Sequence, residues 1–362
     1  MKKLLAAVLA VLMLCVGVFV ACGSGNEGGN SQTGGNSQTG DNSQTGDNSQ
    51  TGGQTETVDV YLPDGTPALA VAQTITEGVD IDRYSVNFHI IAAGDIGKVF
   101  AAHDDADLAI MPTIGAAGVY SNGMGIQLVS TNVFGNLFIV GVNGTAASLA
   151  ELKGKVVMTT AATTIQLFRY LLEQNNIEYE LGSQAVDADK VYLNSYDSGQ
   201  QIIQALKAAE AGQTEAYGVL GEPQVTMCQT NVPSARIAVD FQAEWKTLTK
   251  FDGYPQASLI VRGSFASAHS SFVSAFADAL KGNAAWLADA ENIAAFQAAL
   301  AAYNETADYQ STLAAANLTT DTIERCNLGF QSASDVKASV IDYIGRLNPS
   351  VELKDDFFFA AA

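Results

Sequence analysis

The chain changes character twice along its length. Residues 4–20 form an apolar run without charge, residues 23 to about 57 carry almost no apolar side chain, and from Val58 onward short apolar stretches alternate with amphipathic ones. Residues 58–62 alternate like a strand. Thr66 then predicts a helix cap, with Pro67 at the first helical position and the helix running through 68–77 to Gly78. The same unit recurs: 107–111 before 113–120 and Gly123, and 154–159 before 165–175, where Ile165, Phe168, Leu171 and Leu172 keep helical spacing. Residues 191–193 lead to 199–211 and Gly212, and 216–221 lead to a helix opening at Glu222-Pro223. Such alternation predicts an α/β fold of parallel sheets covered by helices, with ligands bound at the carboxyl ends of the strands. After a strand at 258–261 the chain turns largely helical, in Ala-rich stretches at 270–290 and 292–304 that return to cover the first part of the fold.

Met1-Lys2-Lys3 before the apolar run gives the build of a secretory signal, and about 17 apolar residues sit at the lower end of what crosses a bilayer. Val18-Phe19-Val20-Ala21-Cys22, followed by Gly23-Ser24, resembles the bacterial lipoprotein signal. That resemblance implies removal of residues 1–21, lipidation of Cys22, and a protein held by its lipid on the extracytoplasmic face of the cell membrane. Each buried CH₂ contributes only about 0.8 kcal/mol, so firm anchoring takes more than one acyl chain. Residues 22–57 then form the linker: Asn30–Gly35, Asn36–Asp41, Asn42–Asp47 and Asn48–Gly53 repeat one polar hexapeptide. Such a segment cannot bury a core and predicts a flexible tether with a reach of roughly 30 Å.

With 18 Lys and Arg against 38 Asp and Glu, the chain has the wrong sign for a nucleic-acid binder. Its 362 residues exclude a small disulfide-stapled scaffold. The four cysteines (Cys15, Cys22, Cys228, Cys326) and three histidines (His89, His103, His269) share no metal-ligand spacing, so no metal and no cofactor is expected. Two buried free thiols are the expected state of Cys228 and Cys326. His89 and His103 read as surface or structural residues. No Gly-x-Ser-x-Gly elbow, His-Glu-x-x-His helix or Walker pattern occurs, and catalysis is not expected. Phe357-Phe358-Phe359 is too short to anchor in a membrane and is expected to dock onto the first lobe.

Val60-Tyr61-Leu62-Pro63-Asp64-Gly65-Thr66-Pro67, Asp107-Leu108-Ala109-Ile110-Met111-Pro112-Thr113 and Ser130-Thr131-Asn132-Val133-Phe134-Gly135-Asn136 resemble solute-binding proteins of ABC importers. More narrowly, they are similar to the group of aliphatic-sulfonate, nitrate and thiamine-pyrimidine-precursor binders. Residues 149–155, Gly221-Glu222-Pro223 and Tyr254-Pro255-Gln256-Ala257 follow in the expected order, and the resemblance spans about residues 57–359. It implies a two-lobed, type II periplasmic-binding-protein-like fold with a hinge and an inter-lobe cleft. Lobe 1 would be 58–143 plus 257–362 and lobe 2 144–256, with crossings near 137–142 and 254–258. It also implies a small-molecule solute and an ABC permease in the membrane as partners; a monomer is expected. The thiamine-precursor branch includes a eukaryotic synthase with a cysteine-rich iron-binding segment, which Cys228, alone in Thr226-Met227-Cys228-Gln229, does not reproduce.

Loops running from a strand into a helix N-terminus offer unpaired N–H groups to oxygen-rich ligands. They select the candidate ligand residues Asp64, Gly65, Thr66, Pro112, Thr113, Thr160, Thr163, Thr164, Tyr196, Asp197 and Glu222, with Asn132, Phe134, Gly135, Asn136 and Tyr254 as further lining. None of these loops holds Lys or Arg, so no guanidinium clamp on a sulfonate or phosphate is visible. The lean is therefore toward an aminopyrimidine or other nitrogenous solute. Glu222 or Asp64 would accept N–H, and Phe134, Tyr196 or Tyr254 would stack on a ring. A sulfonate held by backbone amides is the alternative, with Lys98, Lys250 or Arg262 able to enter from elsewhere. A sensor lipoprotein of the same fold is the other.

Overall fold

The computed structural model describes residues 55–360 apart from 103–105, 161 and 250. The signal, Cys22, residues 23–54 of the linker, His103 and Lys250 lie outside the described residues, and Glu56 and Thr57, expected at the linker's end, belong to the first strand. The chain opens with β1 (Glu56–Pro63), β2 (Tyr84–Ile91), β3 (Ala106–Pro112) and β4 (Ile126–Val133). It then builds β5 (Leu137–Val142), β6 (Val156–Thr159), β7 (Tyr179–Leu181), β8 (Val191–Ser195), β9 (Ala216–Gly221) and β10 (Arg236–Asp240), and closes with β11 (Ala257–Arg262) and β12 (Leu328–Ser332). Two six-stranded sheets result, ordered β12-β4-β11-β3-β1-β2 and β10-β5-β9-β6-β8-β7. Residues 137–142, expected as a crossing, are thus a strand of the second sheet. The first crossing is 134–136, and the second is the stretch between helix Phe241–Leu248 and β11.

Strand directions place the loops. β4 runs into the first crossing, and β11 is antiparallel to both β4 and β3, so β3 and its parallel neighbour β1 also end at the lobe boundary. In the second sheet β5 leaves the boundary, β9 opposes it, and β6 and β8 run with β9, so all three arrive there. Every predicted strand-to-helix loop therefore faces the junction of the two sheets.

Several helices are shorter than their hydrophobic pattern predicts. Gly65, not Thr66, occupies the N-cap position of helix Thr66–Leu69, and a second helix, Ala72–Glu77, follows a break at Ala70-Val71. The helix after β9 begins at Gln224, one residue past Pro223, and 270–290 divides into Ser270–Ala279, Asn283–Trp286 and the start of Ala290–Asn304. These late helices cover lobe 1, their Phe272, Phe276, Phe296 and Leu300 fully buried with Leu62 and Leu69. The tail docks on the same lobe: Phe357 is buried and the Phe359 N–H donates to the Leu128 carbonyl. No helix among the described residues is long and apolar enough to cross a membrane.

On the other face of the sheets one apolar core runs through both lobes. Trp245 of lobe 2 meets Tyr170 at 5.7 Å, Tyr254 of the second crossing at 5.8 Å and Tyr343 of lobe 1 at 5.4 Å between ring centroids. Tyr254 and Tyr343 stack at 16°. The crossings press together here. A Cβ on Gly253 would lie 2.4 Å from the Phe134 carbonyl oxygen, and one on Gly135, whose φ is +99°, would lie 2.7 Å from the Tyr254 ring.

At the far end of lobe 1, Asp59 accepts from or pairs with His89 Nε2 at 2.6 Å, and His89 stacks on Tyr61, which gives that histidine a structural role. Beside it, burial and the Asp59 charge hold the Asp107 carboxyl at about 6, even though Asp107 accepts the Asp59 N–H. The native state thus binds more protons than the unfolded one between about pH 4 and pH 6, so this group costs stability as pH rises through that window. Asp107→Asn, which keeps the acceptor, is expected to raise stability by about 1–2 kcal/mol at pH 7.5, allowing for partial exposure, and by nothing at pH 3.5. Urea denaturation at both pH values checks this, and equal gains at the two would refute the assignment.

Candidate functional site

Three of the predicted residues, Thr66, Asn136 and Glu222, meet at the lobe boundary, but they bind one another. The Asn136 side-chain amide donates to Thr66 Oγ1 at 2.6 Å and to the Glu222 carbonyl at 3.1 Å, and its oxygen accepts from Gln256 Nε2 at 2.6 Å. Thr66 Oγ1 donates to the same Glu222 carbonyl at 2.6 Å, so its hydroxyl joins the lobes and does not cap its own helix. The Glu222 side chain is fully buried. One carboxylate oxygen accepts from Arg325 Nε at 2.6 Å and from the Thr226 hydroxyl at 3.1 Å; the other accepts from the Thr226 N–H at 3.1 Å. Arg325 also donates to Thr226 Oγ1 at 2.9 Å, and Thr226 Oγ1 lies 3.0 Å from Thr322 Oγ1 of lobe 1.

Arg325 is the residue that sequence reasoning missed. It stands at the end of helix Thr320–Arg325, three residues before β12 begins at the boundary, and no strand-to-helix loop advertises it. The available signal was Thr319-x-x-Thr322, which forms a capping box and so marks a helix whose last turn carries the only cation nearby in sequence. Lys98 pairs with Asp95 on the surface, and Arg262 donates to the Ala106 and Phe100 carbonyls at the far end of β3.

Two predicted acceptors are therefore occupied. Glu222 is neutralised by Arg325. Asp64 takes the Ser311 hydroxyl at 2.7 Å and the Thr312 N–H and hydroxyl at 3.0 and 2.7 Å, fixing the 309–315 segment, while Tyr309 donates at 3.3 Å and its own hydroxyl is pushed up to about 12 by burial and this carboxylate. Tyr254 is also corrected: fully buried and donating to Gln242 Oε1 at 2.8 Å, it belongs to the crossing and has no face open to a solute ring. Phe134 packs beside Gly253 and Gly329.

Unspent hydrogen-bonding capacity sits at the boundary ends of β3, β4 and β11. Thr113, Ser130, Thr131, Asn132 and Ser258 are all buried to 1% exposure or less. Ser258 Oγ lies 2.8 Å from Thr113 Oγ1 and 2.9 Å from Thr131 Oγ1, so three hydroxyl hydrogens serve two contacts and one is left over among the described residues. Ser130 donates to Asn132 Oδ1 at 2.9 Å, and Asn132 Nδ2 has no partner among the described residues. Leaving a buried donor unpaired costs about 1–3 kcal/mol, so such a surplus calls for an acceptor. Helix Thr113–Ser121 starts at this cluster, behind Pro112. Across the boundary Thr160, Thr163, Thr164 and Tyr196 are part-exposed, with Thr163 and Thr164 in the first turn of helix Ala162–Gln174; Asp197 is exposed, its N–H donating to Gln201. A separate hollow of about 390 Å³ is walled by Ala284, Ala288, Asp321, Glu324 and Leu328 of lobe 1. Among the described residues no three His, Cys, Asp or Glu cluster to hold a metal ion.

No family model and no curated protein matches the sequence. The structure resembles an ABC transporter protein from Parabacteroides distasonis, with a TM-score of 0.64 and 20% identity over 84% of this chain and 99% of the other. It also resembles the alkanesulfonate-binding protein SsuA from Xanthomonas axonopodis pv. citri bound to MOPS (TM-score 0.54, 15% identity, 83% and 96% covered). A third neighbour is a Candida albicans gene product described as having the generic periplasmic binding protein structural fold (TM-score 0.50, 11% identity, 83% and 93% covered). The chain has the two-lobed type II periplasmic-binding-protein fold, and its neighbours include solute-binding proteins of the sulfonate group that the sequence resembles.

Proposed function

We propose that the protein is the extracytoplasmic solute-binding component of an ABC importer, a non-catalytic monomer tethered through lipid at Cys22, which closes its lobes on a small organic solute and delivers it to a membrane permease. The fold and the neighbours support the transport class; the donor surplus around Asn132 carries the choice of solute. With Glu222 and Asp64 committed within the protein, the argument for a nitrogenous donor solute loses its acceptors. Spare N–H and O–H groups beside the start of helix Thr113–Ser121 favour a solute that presents oxygen acceptors, a sulfonate or carboxylate, held without a dedicated guanidinium. Part-exposed Tyr196 keeps a place for an aromatic or heterocyclic portion.

A thermal-shift screen of the full chain against sulfonates, carboxylates, aminopyrimidines, nitrate and polyamines tests this reading. A ligand of the native state at 100 times its Kd adds about 2.7 kcal/mol. Sulfonates or carboxylates are expected to raise the midpoint, with the effect falling at least tenfold in affinity in Asn132→Leu. Hits confined to aminopyrimidines or polyamines would refute the acceptor-solute reading, and no hit in any class would refute import.

A further inference from the structure

The lobes touch on both faces of their sheets, and the two contacts differ in kind. On one face the contact is apolar: Tyr170, Trp245, Tyr254 and Tyr343 form one buried ring cluster, closed by Arg346 donating to Tyr170 Oη at 2.8 Å. On the other face it is polar: Glu222 with Arg325, Thr226 with Thr322, and Thr66 and Asn136 on the Glu222 carbonyl. The residues behind this second contact belong to different cores, Ile323 and Cys326 to lobe 1 and Val225 and Cys228 to lobe 2, so no shared apolar core crosses there.

Energetics separates the two contacts. Parting the rings exposes several aromatic side chains to water with nothing in return. Parting the polar set exchanges protein hydrogen bonds for water ones, a nearly balanced trade, and rehydrates a buried ion pair whose desolvation roughly offsets its attraction. Arg325 already has 31% of its side chain in solvent while Glu222 has none, so water reaches the pair from the arginine side. The backbone at the first crossing lies between the two contacts, with Gly135 at φ +99° immediately before Asn136.

We infer that the lobes pivot on the Tyr170–Trp245–Tyr254–Tyr343 cluster and open by separating Glu222 from Arg325, so that this ion pair and its threonine partners form the latch that sets the open-to-closed ratio. The inference concerns the lobes alone and stands whatever solute is bound. It gives Arg325 and Glu222 a positioning role: they touch one another in the closed form and act on affinity through the closed fraction.

Cys326 reports the latch. Its Sγ lies 3.8 Å from Thr66 Oγ1, directly behind the Thr66–Glu222 contact, and it is fully buried. Burial, with the Glu222 charge nearby, pushes its thiol up to about 12, so the closed form is inert to thiol reagents. Cys228 is equally buried but lies in the lobe 2 core, where burial pushes it to about 11, and serves as the internal control.

The experiment is labelling of the solute-free full chain with 5,5′-dithiobis(2-nitrobenzoate), followed cysteine by cysteine by mass spectrometry. The variants are Glu222→Gln/Arg325→Met, which removes both charges together, and Thr226→Val, which removes only the hydroxyl bridge. Cys326 is expected to label at least tenfold faster in the double variant and a few-fold faster in Thr226→Val, with Cys228 unchanged and the radius of gyration increased in solution scattering. An unchanged Cys326 rate in both variants overturns the latch. So does equal acceleration of Cys228 and Cys326, which would mean that the changes loosen the whole fold.

Discussion

Trp245→Ala is expected to destabilise the protein by about 3–5 kcal/mol, a larger loss than any other single side-chain truncation argued for this molecule. Trp245 is fully buried, and its ring touches three other aromatic rings drawn from helix Ala162–Gln174, the second crossing and helix Ala333–Leu347. Removing it therefore opens a cavity shared by both lobes. The walls are large planar rings held from three directions, so they cannot collapse into the space. Trp245→Phe separates packing from polarity. The indole Nε1 has no hydrogen-bond partner among the described residues, so phenylalanine deletes an unsatisfied buried donor while refilling most of the volume, and the expected cost is under about 1.5 kcal/mol. Calorimetry should show one cooperative transition in each, with the alanine variant lower by about 2 °C per kcal/mol for a body of this size. An alanine variant within 1 kcal/mol of wild type would mean that the ring cluster does not hold the lobes together, and the pivot would have to lie elsewhere.

The repeated strand-turn-helix units were legible because each is specified locally. Pro67, Gly78, Gly123 and Gly212 punctuate them, residues 58–62 of β1 alternate, and β9 is apolar over its whole run. Strand β2, at the sheet edge, mixes His89, Asn87 and Ser85 with its apolar residues and gave no such signal. β5 was read as a crossing because its pairing with β9 and β10 depends on residues about 80 to 100 positions away, which no local pattern encodes. The same distance hid the site's charge balance. Glu222 looked like a free acceptor at the end of β9, yet its cation, Arg325, is 103 residues further on. Asp64 looked free for the same reason, its partners being Ser311 and Thr312. A loop's own composition reports which groups reach the boundary; only the fold reports which of them are already spoken for. Thr113, Thr131, Ser130 and Asn132 show the converse. Read singly they are ordinary strand-end polar residues, and only their joint burial with Ser258 exposes the surplus of donors.

Gly135→Ala is expected to cost about 2–4 kcal/mol because two independent penalties fall on one position. A φ of +99° is left to glycine, and an L-residue forced there carries about 1–3 kcal/mol of strain. The added Cβ would also lie 2.7 Å from Tyr254 Cε1 and 2.9 Å from Gln242 Cγ, an overpacking that costs roughly another 1–3 kcal/mol, less whatever the side chains recover by shifting. Tyr254 has little room to shift, being stacked on Tyr343 and bonded to Gln242. Gly123→Ala isolates the first penalty: its φ is +89°, and a Cβ there meets nothing within 4 Å. The denaturation midpoint of Gly135→Ala should therefore fall further than that of Gly123→Ala by an amount corresponding to about 1–2 kcal/mol. Equal losses would show that Tyr254 yields freely and that the crossings are loosely packed. In that case the ring cluster could not act as a fixed pivot, because the backbone joining the lobes would move past it instead of turning around it.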